Sequence, residues 1–479
     1  MEIIRIFKNA LSKHNLDKSK QKIAKMLATN TKTLSQFENK YTSLESDNYK
    51  NIDRNTTVNV SAELINKIAD ELTDGCIVIN IADGKITEEV IHKNHTNTKN
   101  NELITTEPVS LDTLMAIPAE NRPELTSIYV KRDMPVPSYI TLLEMLRQSL
   151  ESKNPKKKRR MYHMFRKGLD VLDIDEITYE IISMNKNSMS FWLPKIAKAV
   201  FENTNLNIPN TKIVKVPLPI LQMTRLDYAS HTKSTLEIIN KWAANIFKPV
   251  ENKTYFVKTG TNSMKFDFRN AKIEGKELND LGEYLLYIHS FGIQMADTDI
   301  KTGKSMYGMS TTNEWVVRDF IKDNENLCIY HGMPLHTEYR VFADFDTKEI
   351  IGIHPYWDPN VMKDRFDNYS DNMTPDMLHD SVTYRAKEPS LMAVYEENKE
   401  RVIKETEKIL SHCPEMTGQW SIDIMQTNDN KLWLIDMAIA ENSAFYDCIP
   451  ENKRKPMTEN WIPKIKGDKT WKISMNSIL

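Results

Sequence analysis

Cysteine is scarce: Cys76, Cys328, Cys413 and Cys448 are the only four in 479 residues, and their spacing fits neither a disulfide framework nor a zinc site. That usage suits a reducing cytoplasm. Charge of neither sign prevails, with 64 Lys plus Arg against 66 Asp plus Glu and a formal net charge of -2. The total charge therefore gives no argument for nucleic acid or an anionic membrane as partner. No apolar run approaches the roughly 20 residues that span a bilayer, and the opening MEIIRIFKNALSKHN lacks a signal-peptide core. Glycine is sparse too, 13 residues against abundant Asn and Lys, which reflects coding bias more than function. No GxGxxG follows a strand, and there is no GxSxG or HExxH, so Rossmann, serine-hydrolase and zincin chemistry have no motif behind them. Gly303-Lys304-Ser305 matches the end of a P-loop, but Thr298 stands where its first glycine belongs and no apolar strand precedes it. The expectation is a soluble, cytoplasmic chain with no membrane role, long enough for two or three domains.

What is present falls into four stretches. Residues 1–45 carry helical stripes (Ile3, Ile6, Leu11; Ile23, Met26, Leu27; Leu34, Phe37, Tyr41) and predict a helical hairpin. Ala24 and Leu34 sit where a helix-turn-helix would place them, but no basic recognition face accompanies them. Residues 46–170 read as a mixed, partly flexible accessory region. It contains a strand over Cys76 to Ile81, a polar stretch with His92 and His95 that has no metal-ligand spacing, and a helical region from Pro137 to Glu151. It ends in a basic run, Lys156 to Arg160, with Tyr162 and Phe165 behind it; a solvated helix start is favoured over a nucleic-acid patch. Residues 171–450 alternate helices with apolar strands, and 451–479 form a tail.

The chemistry concentrates in the third stretch. QWSIDIMQTNDNKLWLIDM, from Gln419 to Met437, predicts two strands and a tight turn. A two-residue loop at Asp429-Asn430 pairs Asn428 with Lys431 and sets Asp423 opposite Asp436; a longer loop shifts the register and leaves both acids on one face. Two acids within apolar strands need a cation or a raised pKa, and a hard divalent ion such as Mg²⁺ answers that need; the alternative is a solvated hairpin. Earlier, NKTYFVKTGTNSMKFDF puts Lys258 at a strand end, followed by Gly260, Ser263 and Lys265, a pattern suited to a phosphate clamp under a movable cover. NEWVVRDFI is a strand running into a hinge with Val317, Phe320 and Ile321, and HTEYRVFADFDTKEIIGIHPYWDP is a hairpin with Glu338 and Arg340 on one face.

In this order the pieces resemble the ATP-grasp superfamily, and more narrowly its branch containing the cell-division-cycle protein 123 family with related bacterial and phage proteins. The resemblance runs from about Met184 to Asp447. SFWLPKI is similar to that family's Trp-x-Pro entry, and KVPLPI to its strand before the first helix. YFVKTGTNSMKF resembles the strand lysine and cover, and VVRDFI the hinge. EYRVFADF resembles the Glu-x-Arg strand, and WSIDIM with WLIDM the metal-bearing strands. It implies an α+β fold in which two α/β subdomains clamp a nucleotide, preceded by a mostly helical N-terminal region. It also implies that Lys258 and Lys265 contact ATP phosphates with Gly260 and Ser263 in the cover. Arg318, Asp319 and Ile321 would line the adenine, Glu338 would reach the ribose or an ion, Arg340 the γ-phosphate, and Asp423 and Asp436 would hold Mg²⁺. Lys215 is a looser match to a further nucleotide lysine. Where the family places a metal-site Asn, two residues after the second acid, this chain has Ala438; Asn442 is the substitute donor, with Glu441 as competitor.

The implied activity is an ATP- and Mg²⁺-dependent ligase, with Arg340 and Lys265 as catalytic cations. A carboxylate becomes an acylphosphate, and an amine or other nucleophile on a peptide, protein or small molecule attacks it. ATP binding that assembles a partner without turnover is the alternative, and a nucleic-acid-directed ligase or kinase is less favoured.

Overall fold

A computed structural model describes residues 62–91, 185–225, 233–297, 311–367 and 373–455, with a few further positions between 152 and 231. The helical hairpin over 1–45, His92, His95, the helical region 137–151, the Gly303 run and the tail beyond 455 lie outside the described residues. Of the basic run, Lys156 and Lys157 are described; both are exposed, and their N–H groups donate to Asn154 Oδ1 at 3.0 and 3.3 Å, a helix cap.

In chain order the elements are α1 (Ala62–Thr73), β1 (Ile77–Ala82), β2 (Lys85–Val90), α2 (Met189–Asn203), β3 (Leu206–Asn207) and β4 (Thr211–Lys215). Then come α3 (Leu218–Met223), α4 (Lys233–Phe247), β5 (Tyr255–Thr259), β6 (Lys272–Ile273), α5 (Leu281–Asp297) and β7 (Glu314–Asp319). The rest are β8 (Cys328–Ile329), β9 (Met333–Pro334), β10 (Thr337–Asp344), β11 (Glu349–Pro355), α6 (Pro359–Asp367), α7 (Pro375–His412), β12 (Gln419–Gln426) and β13 (Leu432–Ile439). The architecture mixes helices with antiparallel sheets: six strands in the order β2-β1-β4-β7-β5-β6, five in the order β11-β10-β12-β13-β3, and the short pair β8-β9. Only the β13–β3 pairing is parallel among the described ladders.

Period-two alternation divides the first sheet between two cores. Val214, Val257, Trp315 and Val317 pack with α1, α4 and α5, while Ile213 and Val316 face the other way, into the core built on α2 and the second sheet. Residues 62–91, assigned from sequence to the accessory region, are built into this sheet: β1 pairs with β4, and α1 shares the core of α4.

In the second sheet Tyr339, Val341, Trp420, Ile422, Ile424, Leu432 and Leu434 pack with α2 and α7. Their alternates on the opposite face include Glu338, Arg340, Asp423 and Asp436. Strict alternation would carry Asp436 inward with Leu432 and Leu434. A bulge prevents it: the ladder steps from Ile424↔Leu434 to Asp423↔Asp436, leaving Ile435 unpaired and flipping the parity of the remaining β13 residues. Met437 and Ile439 thereby return to the core. The turn differs from the expected two-residue loop. Thr427 N–H donates to Lys431 O at 3.0 Å, and Asn430 lies at φ +64°, so the loop has three residues with Asn in the left-handed position. The extra turn residue and the bulge cancel, and the acids stand opposite one another.

Two further packing facts position the site. The carboxylate of Glu314, itself fully buried, accepts from the Ser190 N–H at 3.0 Å and from the Ser190 hydroxyl, capping the N-terminus of α2. Gly260 lies against this arrangement, where a Cβ would fall 2.6 Å from Thr312 Oγ1 and 2.9 Å from Glu314 Cβ. After β5, Met264 is buried in one core and Phe268 in a third cluster with Tyr330, Met333, Trp357 and Phe366. The expected cover over the phosphates is thus anchored at both sides of Lys265.

Candidate functional site

The second sheet carries a row of ionisable side chains across four strands. Register places His354 of β11 opposite Arg340 of β10, Arg340 opposite Asp423 of β12, and Asp423 opposite Asp436 of β13. Opposed residues share a face, so the four side chains project together. Arg340 grips Asp423 with two parallel bonds, Nε to Oδ1 at 2.8 Å and Nη2 to Oδ2 at 2.6 Å. Lys258 crosses from the first sheet to Asp436 Oδ2 at 2.8 Å. Its side chain is 2% exposed, and its backbone is paired to Val316 of β7 near the end of β5.

Arg318 joins from β7. Its Nη1 donates to the carbonyl of Ile435, which the bulge has released from the ladder, and its Nε to Thr211 Oγ1 at 3.0 Å. Nη2 is buried with no hydrogen-bond partner among the described residues, and burial pushes the guanidinium down to about 10. Lys265 completes the set of cations, with Nζ 4.5 Å from the centre of the Tyr356 ring and 5.4 Å from that of Phe266. Arg340 lies over the same Tyr356 ring at 4.8 Å. No described carboxylate is ion-paired with Lys265. Burial, then the charge of Arg340, lowers its pKa; burial raises that of Glu338, which accepts from Trp357 Nε1 at 3.2 Å.

Seven sequence-selected residues therefore converge: Lys258, Lys265, Arg318, Glu338, Arg340, Asp423 and Asp436. Others do not. The carboxylate of Asp319 is taken by Lys253 at 3.2 Å and Asn210 at 3.1 Å, on the face of β7 away from Arg318. The N–H of Gly260 is committed to Glu314 O at 3.0 Å, so it is not free for a phosphate. Lys215 is paired in the ladder with Glu314. Ile321 and Ser263 are half-buried. The aromatic wall near Lys258 is built instead from Phe320 and Phe256, both against Phe268 with ring centres at 6.2 and 5.8 Å. Sequence reasoning passed over Tyr356, Phe266 and His354. The first two had only their positions beside Glu338-bearing and Lys265-bearing segments as signal. His354 stacks on Phe445 (5.4 Å, 4°), and that phenylalanine takes the left-handed φ of +70° to reach it.

The donors suit a hard divalent ion: two opposed carboxylates, with the carboxamide of Asn442, whose buried polar atoms have no partner among the described residues. Ala438 offers nothing, and its neighbour Ser421 is bonded to Ser443 Oγ at 2.6 Å. Among the described residues no three or more His, Cys, Asp or Glu side chains are arranged as a metal cage. The present geometry is one of ion pairs.

No protein-family model matches the chain, and no curated protein matches it in sequence. Among solved structures it is similar to Cdc123 from Schizosaccharomyces pombe, at 14% identity and a TM-score of 0.31, covering 57% of this chain and 93% of that one. It is also similar to D-alanyl-alanine synthetase A from Vibrio cholerae, at 12% identity and a TM-score of 0.25, covering 58% of this chain and 63% of that one.

Proposed function

We propose that this chain is an ATP- and Mg²⁺-dependent ligase of the ATP-grasp type. The single observation that carries the reading is the meeting of Lys258, from one sheet, with Asp436, from the other, beside the Arg340–Asp423 pair and an ammonium, Lys265, that holds no carboxylate. Four cations and three acids, all but Lys265 on strands of the two sheets, suit a metal–triphosphate, which presents both signs of charge at close range. Phe256 and Phe320 form an apolar wall for a base, Arg318 and Lys258 hold phosphate oxygens, and Lys265 and Arg340 neutralise the group in transfer. Bound at Asp423 and Asp436 with Asn442, Mg²⁺ would supply further charge neutralisation. A substrate carboxylate oxygen attacks the γ-phosphorus and ADP leaves. An amine nitrogen then attacks the acyl carbon, phosphate leaves, and the nitrogen gives up its proton. The site needs no protein nucleophile.

The test is product analysis with a panel of carboxylates and amines. ADP and phosphate should form only with a competent pair; AMP and pyrophosphate would rule out the acylphosphate route. Ala438, with no donor on the metal face, favours one second reading, an ATP-loaded protein that assembles a partner. Tight ATP binding with no turnover across the panel would select it.

A further inference from the structure

All four oxygens of the two opposed acids already have a protein donor. Asp423 gives both to Arg340. Asp436 gives one to Lys258 at 2.8 Å and the other to the Met437 N–H at 3.0 Å. We infer that Lys258 and Arg340 mask the divalent-ion site in the free protein, so that the metal enters only with a polyanion able to draw both cations off their acids. The inference rests on the proposed nucleotide reading and adds a rule of binding order to it.

The physical argument is one of exchange. A divalent ion at Asp423 and Asp436 would lie within a few ångströms of two fixed cations, a repulsion strongest at the buried Arg340–Asp423 end and more screened at Asp436, which is 41% exposed. Lys258 does not reach water from where it stands, because its side chain is 2% exposed and its backbone is fixed to Val316 of β7. Arg340 is confined too: its side chain is 12% exposed and lies over Tyr356. Neither cation can leave without a new anion within reach. A triphosphate supplies that anion and the ion together, so metal and nucleotide are strongly coupled ligands of this chain. The reciprocal statement also holds, since each must raise the affinity of the other by the same factor.

The test uses the full chain and Mn²⁺, titrated without nucleotide and followed by loss of the free-ion paramagnetic resonance signal. The unaltered chain should leave Mn²⁺ free. Lys258→Met and Arg340→Met should each bind it more tightly by on the order of tenfold or more, although both weaken ATP. Lys258→Gln, which keeps the bulk and a neutral donor, guards against a folding defect in the methionine variant and should also gain. Adding Asp436→Asn to Lys258→Met should abolish the gain. Nucleotide-free binding in the unaltered chain as tight as in the variants would overturn the inference, as would a gain that survives Asp436→Asn. A gain in the variants when the unaltered chain itself binds no ATP would keep the mask and sink the ligase reading; MgATP binding by the unaltered chain with no gain in any variant would do the reverse.

Discussion

Asp423 and Asp436 face each other directly across β12 and β13, and each is held by a cation from a different sheet, Arg340 from the same one and Lys258 from the other. Like charges so placed destabilise a ladder unless compensated. The compensation is unequal in depth. Arg340 and Asp423 are both nearly buried, at 12% and 10% side-chain exposure, whereas Asp436 is 41% exposed.

That asymmetry predicts unequal costs. Arg340→Ala strands a buried carboxylate and should destabilise the chain by about 3 kcal/mol or more. Lys258→Ala leaves an acid that water can reach, so its cost should be smaller and come mainly from lost packing. Urea denaturation of both variants measures the difference. Pairing Arg340→Met with Asp423→Asn should recover much of the loss, because neither partner is then left charged.

Lys265 should behave in the opposite way. Its ammonium rests on Tyr356 and Phe266 without a described carboxylate partner, so Lys265→Met should change stability little. The same substitution removes a charge-assisted phosphate contact, worth roughly 1.5–3 kcal/mol or about ten- to a hundredfold in ATP affinity. Calorimetric titration with ATP and Mg²⁺ reads the second effect, and thermal melting the first. Unchanged ATP affinity would remove Lys265 from the site.

The sequence made parts of this arrangement legible and hid others for identifiable reasons. Alternation in Gln419–Gln426 showed which β12 residues share a face, and of the two registers the sequence left open the structure has the one that sets the acids opposite. The route there was wrong, since one extra residue in the turn and one at Ile435 offset each other, and a bulge leaves no compositional mark when the extra residue is apolar. Glu314 was unreadable for a different reason. Its work is to cap α2 from a strand 124 positions away in the chain, and only the tertiary fold brings them together. Gly260 looked like a flexible cover residue, whereas its lack of a side chain serves close packing.

Gly260 therefore gives a test of packing. Thr312 Oγ1, which a new Cβ would meet at 2.6 Å, is itself held by Ser188 Oγ at 2.9 Å, and Glu314 is held by Ser190. Neither can yield freely. Gly260→Ala should cost about 1–3 kcal/mol and loosen the start of α2, seen as faster amide exchange there. Gly352→Ala, whose Cβ would meet Ile449 at 3.4 Å, should cost much less.

Glu314 also predicts a pH dependence. Burial raises its pKa above the ordinary 4.5. Above that value the unfolded chain loses the proton while the folded chain still holds it, so this group's contribution to stability falls as pH rises through the window up to the raised value. Glu314→Gln keeps an acceptor for the Ser190 N–H and removes the titration. Urea melts at about pH 5 and about pH 8 should show a shallower loss across that interval in the variant than in the unaltered chain. An identical slope would mean Glu314 titrates normally.

The metal end of the site turns on Ala438, which lies on the same face as Asp436, two residues along β13, opposite Ser421. An asparagine there would add a hard oxygen donor beside the acids, and Ala438 is half-buried, so the site is neither sealed nor remote from water. Ala438→Asn should lower the Mg²⁺ concentration needed for half-maximal ATP binding, by about three- to tenfold if one added oxygen ligand contributes about 1 kcal/mol. Asn442→Ala should raise it if that carboxamide, whose buried atoms have no partner among the described residues, is the third donor. The two changes act on the metal alone, so ATP affinity at saturating Mg²⁺ should stay within about twofold of the unaltered chain. If neither substitution moves the Mg²⁺ titration, the ion does not sit between Asp423 and Asp436 at this end of the row. The cations Lys258 and Arg340 would then be the acids' permanent partners.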